Sequence, residues 1–477
     1  MAQAHDLTAL EQADAIRTGE LSPVDLTEHF LARIERLDAT VGAFITPTPD
    51  LARKQAADAE SEATAARREG RSLPRLHGVP VPVKDLNFVA GVRCTLGSAA
   101  YAEHVPTVDD HIVTRLRAAG TIMLGKTNTP EFGLPCHTEN KVAPPARTPW
   151  DLTRSAGGSS GGAATAVASG LAPIAHGSDG GGSIRIPAAA CGLFGIKPSR
   201  GRVSSGPTLH DVSGLSTSGP LARTVADAAA LLDVLAGPMP GDGYAAPALP
   251  PGETFEAYAH RRPGPLRVAL LPNPPVPGVE LHPDCRTAVD EAAELLEELG
   301  HQVEELSLPV DAALRDAFSD VWKVMAAFRP VPPGGDELLM PLTRYLREGG
   351  TAVSGPAFAR ALFGFRTLSQ LLADTLLATY DVLLTPTLAQ PPLPVGALRD
   401  DTDPEAEFAS LGAFTPFTPI YNATGQPAVS LPLHWTTEEL PIGVMLGGRY
   451  GEEGTLISLS AQLEEARPWA DRKPSVW

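Results

Sequence analysis

Two glycine- and serine-rich segments stand out as places where this chain could do chemistry: AGGSSGG at 156–162 and GSDGGGSIR at 177–185. The first contains Gly157-Gly158-Ser159-Ser160-Gly161 and so fits G-x-S-x-G, the turn that presents a nucleophilic serine in α/β-hydrolases. That turn needs an apolar strand before it, whereas PWDLTRSA reads as turn-like. A phosphate-binding loop is excluded because the GK[ST] ending is missing. A flexible Gly/Ser loop is the bland alternative. The second segment is more telling. Glycines 180, 181 and 182 lead directly into Ser183, and glycine permits positive φ and an unshielded backbone. Successive N–H groups can then converge on one spot, as an oxyanion hole requires. A glycine bulge beside a strand would explain the glycines but not the similar cluster 24 residues earlier.

A serine nucleophile needs a base. The chain has twelve histidines, none in a recognisable triad setting. His176 and His210 lie nearest in sequence, and His176, after LAPIA, reads as a strand-end residue with a structural role. Lysine is the other choice, since burial destabilises the ammonium and leaves an amine that can accept a proton. Lys84 sits in VPVPVKDL, an apolar segment where lysine is uncommon. Two other readings stay open from local context: a lysine reaching out to water, or one paired with Asp85.

The elements that would hold these residues alternate between helix and strand. Ser22-Pro23 supplies a cap and a first-turn proline for VDLTEHFLARIERLD, and an alanine-rich charged helix ends at Gly70. VPVPVKDL, TIMLGKTN, LRVALL, HQVEELSL, YDVLLTPT and QPAVSLPLH read as strands; HIVTRLRAAG, GGAATAVASG, TVADAAALLDVLAG and DCRTAVDEAAELLEELG read as helices. The stretch LAPIAHGSDGGGSIRIPAAACGLFGIKP reads as apolar strand-like pieces mixed with glycine turns. Proline-rich loops are expected near 204–218, 238–265 and 330–356. This is the rhythm of an α/β protein. No composition break divides the 477 residues, so one domain is expected, with a catalytic core at about 75–225 and a variable loop region at about 237–400.

Composition narrows the function classes. A formal charge of −18 repels nucleic acid and anionic membranes. No run approaches the roughly 18 apolar residues of a transmembrane helix. The start lacks a basic cluster and apolar core, so no secretory leader is expected. The four cysteines (94, 136, 191, 285) are far apart without CxxC pairing, which argues against zinc or a disulfide framework and for reduced thiols in the cytoplasm. Cys191, in AAACGLFG, reads as small-residue core.

Taken together, Lys84 in VPVPVKDL, the run from Ser155 to Ser204 and NATGQPAVSLP near the C-terminus resemble the amidase signature family over nearly the whole chain. The resemblance implies a single-body α/β fold with a central mixed, twisted sheet covered by helices on both faces. It also implies roles. Ser183 would be the nucleophile, Ser159 a bridging serine reached through a cis peptide after Gly158, and Lys84 the base relaying protons through Ser159. The N–H groups of Gly180, Gly181, Gly182 and Ser183 would form the oxyanion hole. Asp179 and Arg185 would support the loop, while Gly133 and Leu134, in EFGLPCHTE, would border the substrate. No metal or cofactor is called for.

Departures from the family pattern carry information. KDL stands for the usual KDN, and SDGGG for the common SDTGG. Ile186 stands where transamidosome subunits have glutamine, which weakens a role in releasing ammonia from glutamine for tRNA-bound substrates. The expected activity is hydrolysis of uncharged, partly apolar aryl or alkyl amides. Carbamates, urethanes and esters are also within reach of the chemistry. An α/β-hydrolase-type esterase with a Ser-His-Asp triad is the rival reading and would need an essential histidine. The partner expected is a small-molecule amide or carbamate, and the protein is expected to be a monomer or homodimer.

Overall fold

Alternating apolar side chains along the strands divide the interior into two layers. In a computed structural model, which describes residues 3–208, 211–307 and 312–477, eleven strands form two sheets. The smaller holds β1 (Phe44–Pro47), β2 (Val83–Lys84) and β3 (Gly125–Thr127), in the order β1-β3-β2. The larger holds β4 (Ile174–Asp179), β5 (Phe194–Lys197), β6 (Thr217–Ala222), β7 (Arg267–Leu270), β8 (Gln302–Glu305), β9 (Val382–Pro386), β10 (Ala428–Trp435) and β11 (Pro441–Gly448). Its order is β4-β6-β5-β10-β11-β9-β7-β8. Neighbours run antiparallel from β4 to β9, and parallel from β9 through β7 to β8. The sheet is therefore mixed, as expected.

Successive residues on a strand point to opposite faces, and the sequence exploits this. Val268, Leu270, Val382, Leu384, Val429, Leu431, Val444 and Leu446 enter one apolar cluster with the helices Val225–Leu235, Pro283–Glu298 and Glu453–Ala466. Their neighbours Ala269, Leu383, Ala428 and Met445 face the opposite layer with Phe417 and Tyr421. There the helices Gly161–Ala168 and Arg185–Cys191 also pack, through Ala163, Ala164, Ala188 and Cys191. Helices cover both faces.

The glycine-rich helix Gly161–Ala168 is buried along its full length. A side chain at Gly162 would lie 2.3 Å from Asn128 N and 2.4 Å from Ala43 O, so only glycine lets this helix meet β3. Capping follows the sequence closely: Ser22 accepts from the N–H groups of Val24 and Asp25, and Gly70 ends its helix at φ +66°.

Three expectations need correcting, the first being the loop near 238–265, which contains the helix Phe255–Ala259 capped by Thr254. Residues 185–191 form a helix, not a strand-like piece. Ala188 and Cys191 lie one turn apart on its buried side, and proline in the first turn suits a helix. Residues 341–352 are also helical inside the expected 330–356 loop. Pro341 occupies the first turn, and Leu342 and Leu346 bury a stripe at helical spacing.

Candidate active site

Strand β2 ends at Lys84, and its side chain enters the space between the two glycine-serine segments. Lys84 is fully buried. Its Nζ donates to Ser159 Oγ at 2.8 Å and lies 3.1 Å from Ser178 Oγ and 3.2 Å from Ser178 O. Burial holds its pKa well below the ordinary lysine value, and the nearby charge of Asp179 only partly opposes this. The amine is thus biased toward its neutral form. Asp85 does not pair with it. That carboxylate faces Lys126 at 3.1 Å and accepts from Thr95 N and Oγ1, forming a separate buried ion pair.

His176 is equally buried, with Nε2 at 3.0 Å from Ser218 Oγ. Burial, followed by the charges of Lys84 and Lys126, pushes its pKa down to about 3. A neutral, hydrogen-bonded strand histidine fits this setting. His210 lies outside the described residues. Among the described residues neither Ser159 nor Ser183 bonds a histidine side chain.

Ser159 follows a cis peptide after Gly158, and it is nearly fully buried. Gly133 backs it: at φ +70°, a side chain there would come within 3.1 Å of Ser159 Oγ and 2.6 Å of Leu86 Cδ1. Gly133 therefore makes room for Ser159 and Leu86. The Ser160 N–H donates to Ser183 O at 3.1 Å and ties the two segments together.

The nest around Ser183 is built on Asp179 and Arg185, both fully buried. Asp179 takes two hydrogen bonds from Arg185, at 2.9 Å each, and one from Asn422 Nδ2 at 2.9 Å. Burial alone would raise its pKa, yet the Arg185 charge and hydrogen bonds hold it well below the usual carboxylate range. Asp179 also accepts from Gly182 N at 2.8 Å and Ile184 N at 3.1 Å. This corrects one assignment: the Gly182 N–H is committed to Asp179 and is not a donor to substrate. Among the described residues the N–H groups of Gly180, Gly181 and Ser183 have no acceptor. Gly182 is required for shape instead, since at φ +133° a side chain would lie 2.4 Å from Thr418 Oγ1.

Ser183 and Gly181 border a cavity of about 600 Å³. Leu134, Cys136, Ile186, Trp322 and Leu411 supply apolar wall. Leu134 lies on the cavity wall. Trp322 and Phe318 stack with centroids 5.5 Å apart and lie against Gly180 and Gly181.

A family model described as Amidase matches residues 25–457. This chain is a member of the amidase signature family. Among similar proteins, a putative amidase, AmiB2, of Mycobacterium tuberculosis is 40% identical over 98% of each chain. A 6-aminohexanoate-cyclic-dimer hydrolase of Pseudomonas is 35% identical, over 98% of this chain and 96% of its own length. A solved structure of 6-aminohexanoate cyclic dimer hydrolase superposes over the whole of both chains with a TM-score of 0.90 at 34% identity. Like its relatives, the protein is a hydrolase of carbon–nitrogen amide bonds.

Several residues of this amidase's site escaped the sequence reading. Ser178 holds the Lys84 amine through two oxygens. Asn422 links Asp179 to Leu215 O at 3.0 Å, and Thr418 donates to Gly181 O at 2.6 Å. Asn422 opens the NATGQPAVSLP motif, so its signal was present but its contact was not. Cys191 is buried in the small-residue cluster, as read. No helix among the described residues is long and apolar enough to cross a membrane.

Proposed function

We propose that this amidase cleaves small aryl or alkyl amides through an acyl-enzyme on Ser183, using Lys84 as base and Ser159 as bridge. The carrying observation is the 2.8 Å contact of a fully buried, neutral-biased Lys84 amine with Ser159 Oγ, in a segment tied through the Ser160 N–H to the backbone of Ser183 on the cavity wall. Lys84 accepts the Ser159 proton as Ser159 takes the proton of Ser183. Ser183 Oγ bonds to the carbonyl carbon, and the displaced electron pair moves to the carbonyl oxygen. The N–H groups of Gly180, Gly181 and Ser183 are the donors available to that oxyanion. Collapse breaks the C–N bond, and the proton returns from Lys84 through Ser159 to the departing nitrogen. Water then gives a proton to the same relay and its oxygen to the acyl carbon, freeing the acid and Ser183.

Leu134 and Ile186 make the wall near Ser183 apolar, which favours an apolar group beside the scissile carbonyl. Carbamates, urethanes and esters present the same carbonyl and are secondary substrates. Ile186 in place of glutamine speaks against transamidation. Small molecules are the only partners in this reading, in the cytoplasm, with the protein a monomer or homodimer and no nucleic acid, membrane, metal or cofactor involved.

The decisive experiment compares wild type with Ser183→Ala on chromogenic anilides, carbamates, esters, a cyclic diamide and glutamine. Loss of a triad nucleophile costs on the order of 10³-fold or more, so anilide hydrolysis should fall to a trace. A fluorophosphonate should add its mass to the peptide containing Ser183. Hydrolysis surviving in pure Ser183→Ala protein, or label on another residue, would overturn the assignment.

A further inference from the structure

The charged groups on the cavity wall differ in their surroundings. Arg315 and Asp316 approach each other at 3.8 Å with side chains 56% and 75% exposed. Glu405 is also exposed, in the first turn of the helix Pro404–Phe414, where a carboxylate is favoured by the helix N-terminus. Lys323 is half-buried on the helix Ala312–Phe328. Among the described residues its ammonium has no carboxylate within ion-pair distance and makes no hydrogen bond. It lies instead 5.6 Å from the ring centre of Tyr345 and 6.0 Å from that of Phe408. A side chain on Gly349 would come within 3.0 Å of Lys323 Cδ, so the bare glycine leaves the lysine stem its course along the neighbouring helix.

A lysine that merely reaches for water turns its charge away from apolar surface. Lys323 keeps its charge between two aromatic rings on the wall of the cavity that Ser183 borders. Aromatic faces attract a cation without neutralising it. The surrounding wall of Leu134, Ile186, Trp322 and Leu411 belongs to one apolar cluster, and of the charged residues lining the cavity Lys323 is the one that is not exposed, so it is the charge able to orient a ligand there. Glu405 opposes an incoming anion, but its exposure leaves it screened by water.

We infer that Lys323 is a specificity residue that recognises a carboxylate on the substrate, at the end remote from the scissile bond. The preferred amides would then be half-amides of dicarboxylic acids or similar amido-carboxylates, apolar in the middle and anionic at one end. This rests on reading the cavity as the site of acyl transfer. It narrows the substrate from any uncharged apolar amide to one with an anionic terminus.

The test uses two anilides of equal length: the 4-nitroanilide of hexanoic acid and the mono-4-nitroanilide of adipic acid. In wild type, kcat/KM should favour the adipic compound by about tenfold, the worth of one partly desolvated charge contact. Lys323→Met should bring that ratio near one, and Arg315→Met should leave it high. Calorimetric titration of both anilides into Ser183→Ala, with and without Lys323→Met, reads the same discrimination without turnover. Equal ratios in wild type and Lys323→Met, or an equal collapse in Arg315→Met, would overturn the inference. Binding that discriminates through Lys323 without hydrolysis by wild type would sink the amidase chemistry but not the lysine's role. Hydrolysis without discrimination would do the reverse.

Discussion

Lys84 combines a demanding task with an uncomfortable position. Its amine is removed from water and held by Ser159 Oγ, Ser178 Oγ and Ser178 O, with no carboxylate among the described residues in ion-pair contact. An unfolded lysine keeps its proton to a pH of about 10.4, whereas the buried one gives it up earlier. Between those two points the unfolded chain binds more protons, so wild-type stability rises with pH across that window. Lys84→Met lacks this contribution. It should lower kcat/KM by about 10²–10⁴-fold, the range for a general base. Its melting temperature relative to wild type should be most favourable at low pH and decline as pH rises. Melting curves at several pH values check this, and a gap independent of pH would argue against a titrating Lys84. The acidic limb of the wild-type kcat/KM profile should report the same group.

Elements determine whether the nest keeps its shape. The loop after β4 is fastened by Asp179, which accepts from two backbone N–H groups, Arg185 and Asn422. Removing its charge leaves Arg185 buried beside a neutral amide. Breaking a buried pair in this way costs about 3–5 kcal/mol, so Asp179→Asn should show a loss of that order in denaturant unfolding. Two glycines of the nest should respond differently to alanine. At Gly182 the new methyl would meet Thr418 Oγ1 at 2.4 Å, while at Gly180 it would meet the Trp322 ring at 3.4 Å. Gly182→Ala should therefore lose far more kcat than Gly180→Ala; comparable losses would show that the Gly182 geometry is not limiting. These contacts mark where sequence reading stopped. Sequence pattern located the helix Gly161–Ala168 and the strands β7, β8, β9 and β10, but it did not mark β11 or β6, whose first residues fell in the loop expected near 204–218. It misread 185–191, because a short apolar run with a proline suits strand and helix alike until packing chooses.

At the scale of the whole molecule, the two-layer core buries all four cysteines. Burial pushes each of their thiols up to about 12, far from the thiolate needed for reaction. Native protein should therefore react slowly with Ellman's reagent and keep its activity after iodoacetamide, and all four thiols should titrate in denaturant. Fast loss of activity on alkylation would point to Cys136, the one on the cavity wall.

Residue type and order were enough to show an α/β chain and a glycine-rich run before Ser183 and, through the family pattern, to single out Lys84, Ser159 and Ser183 as candidates. These features are local or are carried by long, distinctive motifs, so they survive in one dimension. Beyond Ser159, which the family pattern implied, what Lys84 would touch was not legible there. Asp85, its chain neighbour, pairs with Lys126, and Ser178, 94 residues away, holds its amine instead. The Gly182 N–H likewise turned from substrate donor to structural tie because Asp179 lies beneath it. Lys323 gained meaning only when three helices brought Tyr345 and Phe408 to its ammonium. Hydrogen bonds and charge contacts act over a few ångströms of space, and folding alone decides which distant residues come that close.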